Sequence, residues 1–342
     1  MEENNEGKDF LYGNKITIAD IAENLGVSKS TVSRAISGKG RIGKDTTKKV
    51  YDYIEKYNYK PNYFAKGLAT SKTYNIGVAF PADVNVGNTP FFQGLLLGVC
   101  EVAAALDYDV IVTTVKDSDI NLLKRLVENN KVDGIILTRN LLNDMAISYL
   151  SENGIPFVLV GSCEDESIIQ IDNNHLEACE KLVSLLLADG VKKIAMIGGD
   201  RKHIVNRYRS EGYYKALNNY GLGIEHELVF LDCYSPVFIE QAVRNIVKSK
   251  ADCIVCTDDV ICGRVLSFLR DEGISVPENM KIASFYDSYH LETHNPPVTA
   301  IGISVEDLGT EAGKRLIGLI DGSNNNKKSI LDYEIHLRRS TK

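Results

Sequence analysis

From Tyr74 to its C-terminal end the chain alternates short β-rich runs with longer amphipathic ones. Nine runs read as strands: "YNIGVAF", "DVIVTTV", "GIILT", "PFVLVG", "KIAMIGG", "LVFLDC", "CIVCTDD", "KIASFYD" and "TAIGIS". Helical stretches such as "FFQGLLLGVCEVAAALD", "HLEACEKLVSLLLADG" and "VFIEQAVRNIVKS" fall between them. Alternation of this kind implies parallel sheets, because parallel neighbours need a crossover connection. So many units imply two doubly wound subdomains. The length of 342 residues agrees, being too great for one ordinary core.

The residues before Tyr74 read differently. Residues 15 to 74 hold ten Lys and two Arg against five acids, a balance of +7, whereas residues 75 to 342 carry −11. A small basic module precedes a large acidic one, the pattern expected if only the first part meets a polyanion. Three short helices are predicted between residues 17 and 58. "TIADIAENLG" has Thr17 as N-cap and Gly26 as its stop. "SKSTVSRAIS" follows, capped by Ser28, with Val32, Ala35 and Ile36 inward. The third, "KDTTKKVYDYIEKYNY", is expected to bury Val50, Tyr53, Ile54 and Tyr57.

Two helices joined by a glycine-containing turn fit the helix-turn-helix, whose second helix enters the major groove. Lys29, Ser30 and Arg34 lie on the outward face of that helix and can donate to base edges. Ser28, Thr31 and Ser33 are short hydroxyls suited to phosphates at a positive helix N-terminus. A solvated helix with ordinary caps is the alternative for this segment taken by itself.

With "TIADIAENLGVSKSTVSRAISG", "NYKPNYFAKGL" and "IGV" in view, the sequence resembles the lactose-repressor (LacI/GalR) family of bacterial transcription regulators. The likeness continues through all but the first 14 residues. It implies a helix-turn-helix head over 15–60, a hinge helix over 61–73 and an effector-binding and dimerisation domain over 74–342. The last is implied to be a periplasmic-binding-protein-like clamshell. Its N-subdomain is expected at about 74–171 and 289–322, its C-subdomain at about 172–288 and 323–342. The resemblance places further DNA contacts at Thr17, Arg41, Thr46 and Tyr59. It makes Leu68 a minor-groove wedge, with Ala65 beside it and Asn62 at the start of the hinge. Lys66 stands where the family often has Arg.

Ligands of doubly wound sheets bind beyond the strand carboxyl ends. After the first strand, "NTPFF" offers Asn88 and the ring of Phe91, and aromatic faces suit the apolar faces of sugars. "VNRYRSEGYYKAL" and "CTDDV" resemble family segments that place Arg209 and Asp259 on the effector. "SFYDS" matches a family segment in which Tyr286 replaces an aspartate and Asp287 is kept. "IDNN" puts Asp172 at a subdomain crossover, either on the ligand or capping the helix that follows.

Other chemistries find little support. Residues three apart on a strand point to opposite faces, so Cys253 and Cys256 of "CIVC" are read as core rather than as a metal or redox pair. "HLETH" lacks the order of a zinc-binding H-E-x-x-H helix and runs into "NPP". No nucleophile elbow or phosphate-binding loop is present, so neither a metal, a cofactor nor an enzyme activity is expected. The first 14 residues read as a disordered polar tail without a secretory h-region. Seven scattered cysteines suit a reducing compartment, and no apolar run approaches the roughly 20 residues that span a bilayer. The expectation is a cytoplasmic, homodimeric repressor on palindromic double-stranded operator DNA. Its effector is expected to be a sugar, with a maltose-type oligosaccharide favoured, and its targets genes of carbohydrate uptake or metabolism. The alternatives are a regulator governed by a protein partner or by a purine, an exported sugar receptor, and a clamshell enzyme.

Overall fold

The computed structural model describes residues 16–37, 41–57, 59, 67, 70–82, 89–233, 235–323 and 326–342. It forms two units, residues 1–72 and 73–342.

In the first unit, α1 (Ile18–Leu25), α2 (Lys29–Ser37) and α3 (Lys44–Lys56) close around a small core. A capping box starts α1: the Thr17 amide donates to the Asp20 carboxylate at 2.7 Å, and the Asp20 amide donates back to Thr17 Oγ1 at 3.3 Å. These bonds from Thr17 hold the Asp20 carboxyl below its usual range. Gly26 ends the helix at φ +64°, a left-handed cap that costs glycine little. Ile21, Val32 and Val50 are fully buried where the three helices meet. Tyr57 departs from the sequence reading. It lies past the last turn of α3, so the helical stripe no longer carries it inward, and it is exposed against Tyr53.

The second unit holds twelve described strands. Five come first: β1 (Asn75–Pro81), β2 (Asp109–Val115), β3 (Gly134–Leu137), β4 (Phe157–Val160) and β5 (Ile169–Asn173). The next five are β6 (Ile194–Ile197), β7 (Val229–Phe230), β8 (Cys253–Cys256), β9 (Lys281–Ser284) and β10 (Thr299–Ile303). Two more, β11 (Lys328–Leu331) and β12 (Tyr333–His336), end the chain. They form two six-stranded sheets, ordered β11-β5-β4-β3-β1-β2 and β12-β10-β9-β8-β6-β7. Every pairing is parallel except β10 with β12. The central strands are apolar throughout because helices cover both faces.

Helices α4 (Pro90–Ala105), α5 (Asn121–Glu128) and α6 (Met145–Glu152) belong to the first lobe. Helices α7 (His175–Ala188), α8 (Ile204–Asn219), α9 (Pro236–Lys248), α10 (Asp259–Asp271) and the short α11 (Tyr289–Glu292) belong to the second. The chain then returns to the first lobe in α12 (Val305–Ile320). In the first sheet α4 and α12 cover one face, α5 and α6 the other. In the second, α7 and α8 cover one face, α9 and α10 the other. Cys253 and Cys256 fall in these two opposite cores of β8.

The lobes are joined by three crossings, between β5 and α7, between β10 and α12, and between β11 and β12. Two of them correct the boundaries expected near residues 288 and 322. β10 pairs with β9 and so stays in the second lobe, and β11 pairs with β5 and so belongs to the first. Strand order in a sequence does not say which sheet edge a strand will join. The side chain of Asn173 ties two crossings together, donating to the carbonyls of Leu331 and Asp332 at 3.1 and 2.9 Å.

Candidate functional site

The outward face of α2 is built from its N-cap. Ser28 Oγ accepts from the Thr31 amide at 3.1 Å and lies 2.8 Å from both Ser30 Oγ and Thr31 Oγ1. Ser28, Lys29, Ser30, Ser33 and Arg34 are exposed, and Thr31 is half-buried. Arg41 and Thr17 are also exposed and Thr46 half-buried, although Thr17 Oγ1 is engaged with Asp20 at 2.8 Å. Tyr59 contradicts its expected place on the DNA face. The chain beyond α3 folds back so that the Tyr59 amide donates to Ile54 O at 3.0 Å, and its ring is buried in the core of this unit. Asn62, Ala65, Leu68 and Asn88 lie outside the described residues.

In the larger unit, the carboxyl ends of both sheets face a shared cavity of about 570 Å³. That size lies within the range of small-molecule sites. The first lobe contributes Phe91 from the start of α4, Thr138 to Asn140 after β3, Ser162 after β4 and Asp172 on β5. The second lobe contributes His175 from the first turn of α7, Asn206 and Arg209 from α8, Asp258 and Asp259 from the start of α10, and Tyr286 after β9.

Arg209 is the group least provided for. It is 8% exposed, its Nε has no hydrogen-bond partner among the described residues, and a buried donor left unpaired is costly. Asp259 lines the same cavity. Burial, reinforced by the charge of Asp258, pushes its carboxyl above the usual range. Asp258 is occupied as the cap of α10, accepting from the Ile261 amide at 2.8 Å. Burial, and then the nearby Asp259 carboxylate, raise the Tyr286 phenol well above its ordinary range. The Tyr286 ring meets Phe91 across the cavity at 6.1 Å and 75°, an edge-to-face pair that joins the lobes.

Asp172 is treated in the opposite way. Burial alone would raise it, but His175 at 3.2 Å, the Ser162 hydroxyl at 2.6 Å and the Asn173 amide at 2.8 Å hold it below the usual range. Asn140 braces the same wall by donating to Ser162 O at 2.6 Å, and Arg139 is paired with Asp117 at 2.8 Å. The acids of the first lobe are therefore spent on protein partners. What remains for a ligand is an arginine whose Nε is unpartnered among the described residues, the Asp259 carboxyl, a phenol and two aromatic faces.

Comparison with known proteins gives this geometry a family. Residues 17–62 match the description "Bacterial regulatory proteins, lacI family", and residues 183–341 match "Periplasmic binding protein-like domain". The HTH-type transcriptional regulator RegA of Clostridium saccharobutylicum is 30% identical over 334 residues, covering 95% of this chain and 99% of RegA. The chain belongs to the lacI family of regulatory proteins. Two solved structures share its fold. The lac repressor dimer bound to operator and the anti-inducer ONPF is 22% identical with a TM-score of 0.79 over 96% of this chain and 99% of that one. The transcriptional regulator CelR–cellobiose complex is 24% identical with a TM-score of 0.73, over 95% and 99%.

Within this lacI-family chain one expectation about the cavity fails. Asp287 does not line it. Its carboxylate instead receives Arg338 in a bidentate pair at 2.8 and 2.6 Å, and His336 at 2.8 Å. The backbone after Tyr286 turns away from the cavity, its Asp287 amide donating to Ile301 O at 2.8 Å. Asn140, Ser162, His175 and Asn206 were not anticipated. Each of the first two follows a strand's carboxyl end by two or three residues, so the rule that selected Phe91 could have selected them.

Proposed function

We propose that this lacI-family protein is a cytoplasmic, homodimeric operator-binding repressor whose DNA affinity is set by a sugar held between the lobes. A maltose-type oligosaccharide is the effector we favour, and genes of carbohydrate uptake or metabolism are the targets. The observation that carries this reading is Arg209: its buried Nε has no hydrogen-bond partner among the described residues, and it lines the same cavity as Asp259 and the Phe91–Tyr286 pair. Sugar hydroxyls can accept from the guanidinium and donate to the carboxyl, while the pyranose face lies on Phe91 or Tyr286. The related CelR fold was solved with cellobiose, which supports a glucosidic ligand for this cavity.

The α2 face supports the DNA side. Lys29, Ser30 and Arg34 are exposed together above a capped helix N-terminus, where bases and phosphates can both be met. Leu68, with Ala65 and Asn62, completes the proposal as a minor-groove wedge. Large apolar side chains exposed on the first lobe (Leu97, Val112, Leu122) and on the second (Val237, Phe238, Tyr289) support burial against a second copy. The sugar controls DNA only if it favours one lobe arrangement over another, because a ligand of equal affinity for both shifts nothing.

The experiment is calorimetry with maltose, maltotriose, cellobiose and adenine, paired with titration of symmetric duplexes with and without each compound. One glucosidic sugar should bind and change operator affinity. Arg209→Ala should abolish that response while operator binding without sugar persists. Response to adenine alone, or a full sugar response in Arg209→Ala, would overturn the reading.

A further inference from the structure

Helix α8 carries Asn206 and Arg209 to the cavity, yet among the described residues its N-cap position supplies no side-chain cap. His203, the N-cap residue, makes no such bond. The first amides of a helix need acceptors from outside it. For Ile204 that acceptor comes from the other lobe: its amide donates to Asn140 O at 3.2 Å. In the same contact the Leu142 amide donates to Lys202 O at 3.0 Å, so that Leu141 and His203 form an antiparallel bridge.

Both sides of the bridge are braced within their own lobe. On the first, Asn140 donates to Ser162 O at 2.6 Å and the Leu141 amide donates to Asp144 Oδ2 at 3.3 Å. On the second, the Lys202 amide donates to Asp200 Oδ1 at 2.8 Å, and Asn206 Nδ2 donates to Asp200 O at 3.0 Å. The Arg201 amide is likewise fixed, donating to Asp232 Oδ1 at 3.0 Å.

We infer that Asn140 is a positioning residue. Its carbonyl caps α8 from the opposite lobe and sets the first turn that places Asn206 and Arg209 at the cavity. Separation of the lobes removes the cap, so closure and the placement of Arg209 are one event. The consequence for ligand affinity rests on the cavity being the effector site; the bridge itself does not.

Proline can remove each bond, and because Ile204 lines the cavity its proline variant is read against Ile204→Ala, which shortens the side chain but keeps the amide. At Ile204, the first residue of α8, proline suits the helix, and His203 before it has the extended φ −73°, ψ 120° that proline demands of its neighbour. At Leu142, proline would precede Asn143 at φ +58°, a turn position that takes it, and the Leu142 side chain is exposed and outside the cavity. The test is amide hydrogen exchange on the full chain. Ile204→Pro should raise Leu142 exchange at least tenfold, and Leu142→Pro should do the same at Ile204. Ile204→Ala, which keeps the amide, should leave Leu142 protected. Maltotriose affinity should fall about tenfold in Ile204→Pro relative to Ile204→Ala, with the thermal midpoint of the two alike. Unprotected Leu142 and Ile204 amides in the unaltered protein, or protection undiminished in either folded proline variant, would overturn the bridge. Equal maltotriose affinity in the two Ile204 variants would overturn the positioning role. If maltotriose does not bind the unaltered protein, the choice of sugar fails, and protection decides the bridge.

Discussion

Three aspartates near the strand ends of the larger unit show how little a residue's position says without its partners. Asp172 is buried yet held below the usual carboxylate range by His175 and Ser162, Asp259 is raised above it by burial, and Asp287 is taken up by Arg338 and His336. Asp259 and Asp287 could be picked from the sequence as residues just beyond a strand's carboxyl end, and Asp172 as one at a subdomain crossover. The partners of Asp287 could not, because they arrive about fifty residues later along the antiparallel edge strand β12. Asp287→Ala should therefore act on stability and leave sugar affinity unchanged. Removing one partner of a largely buried ion pair costs roughly 3 kcal/mol, which in a unit of this size lowers the thermal midpoint by roughly 6–12 °C. The pH dependence has two edges. Burial would raise Asp287, but Arg338 and His336 outweigh it and depress the carboxyl, so its contribution is full above about pH 4 and lost as pH falls through the lower folded value. The bonds to Asp287 and Glu334 raise His336, so its share is full below about pH 6.5 and lost as pH rises through the raised folded value. The stability gap between the unaltered protein and Asp287→Ala, read by urea unfolding, should be widest between roughly pH 4 and 6.5. A gap that stays constant from pH 3 to 9 would rule out this pairing as its source.

At the scale of elements, the long apolar strands and the capped helices were legible because burial on both faces and a stop such as Gly26 leave marks within ten residues. β5, β11 and β12 escaped notice. "IQIDN", "KSIL" and "YEIH" mix polar residues into runs of four or five, and their pairing is decided by sheet edges distant in sequence. The glycine contact between α4 and α12 was hidden for the same reason. A Cβ on Gly98 would run into Glu306 O, and one on Gly309 into Leu95 O, so these helices pack backbone against backbone at two glycines over two hundred residues apart. Neither glycine has the left-handed φ that would mark it as a turn residue. Gly309→Ala should force α12 away from α4 and destabilise the larger unit by about 1–3 kcal/mol, the usual cost of overfilling a packed core. Chemical denaturation would measure it. A loss below a few tenths of a kcal/mol would mean that the two helices can separate without disturbing the sheet beneath them.

For the whole molecule, the division of charge is the feature that sequence alone displays most completely, since it needs no partner to be seen. The stretch from residue 15 to 74 carries +7 and the rest beyond it −11. Phosphates bound by the basic stretch release counterions, so operator affinity should fall steeply with salt, with a log–log slope of about −0.9 for each phosphate neutralised. A contact with six to ten phosphates implies a loss of roughly 10³ to 10⁵ between 50 and 200 mM salt. The acidic remainder cannot offset this loss, because it repels the duplex and is itself screened beyond about 10 Å at 0.1 M salt. Sugar binding should respond differently. The proposed effector, an uncharged glucoside, would meet Arg209, Asp259 and two aromatic rings inside a cavity, where hydrogen bonding and burial dominate and mobile ions scarcely enter. Measured in the same buffers, operator affinity should drop by orders of magnitude while sugar affinity changes less than about threefold. A steep salt dependence of sugar binding would instead reveal a charged effector drawn to Arg209, and a shallow dependence of operator binding would mean that the basic stretch does not carry the phosphate contacts.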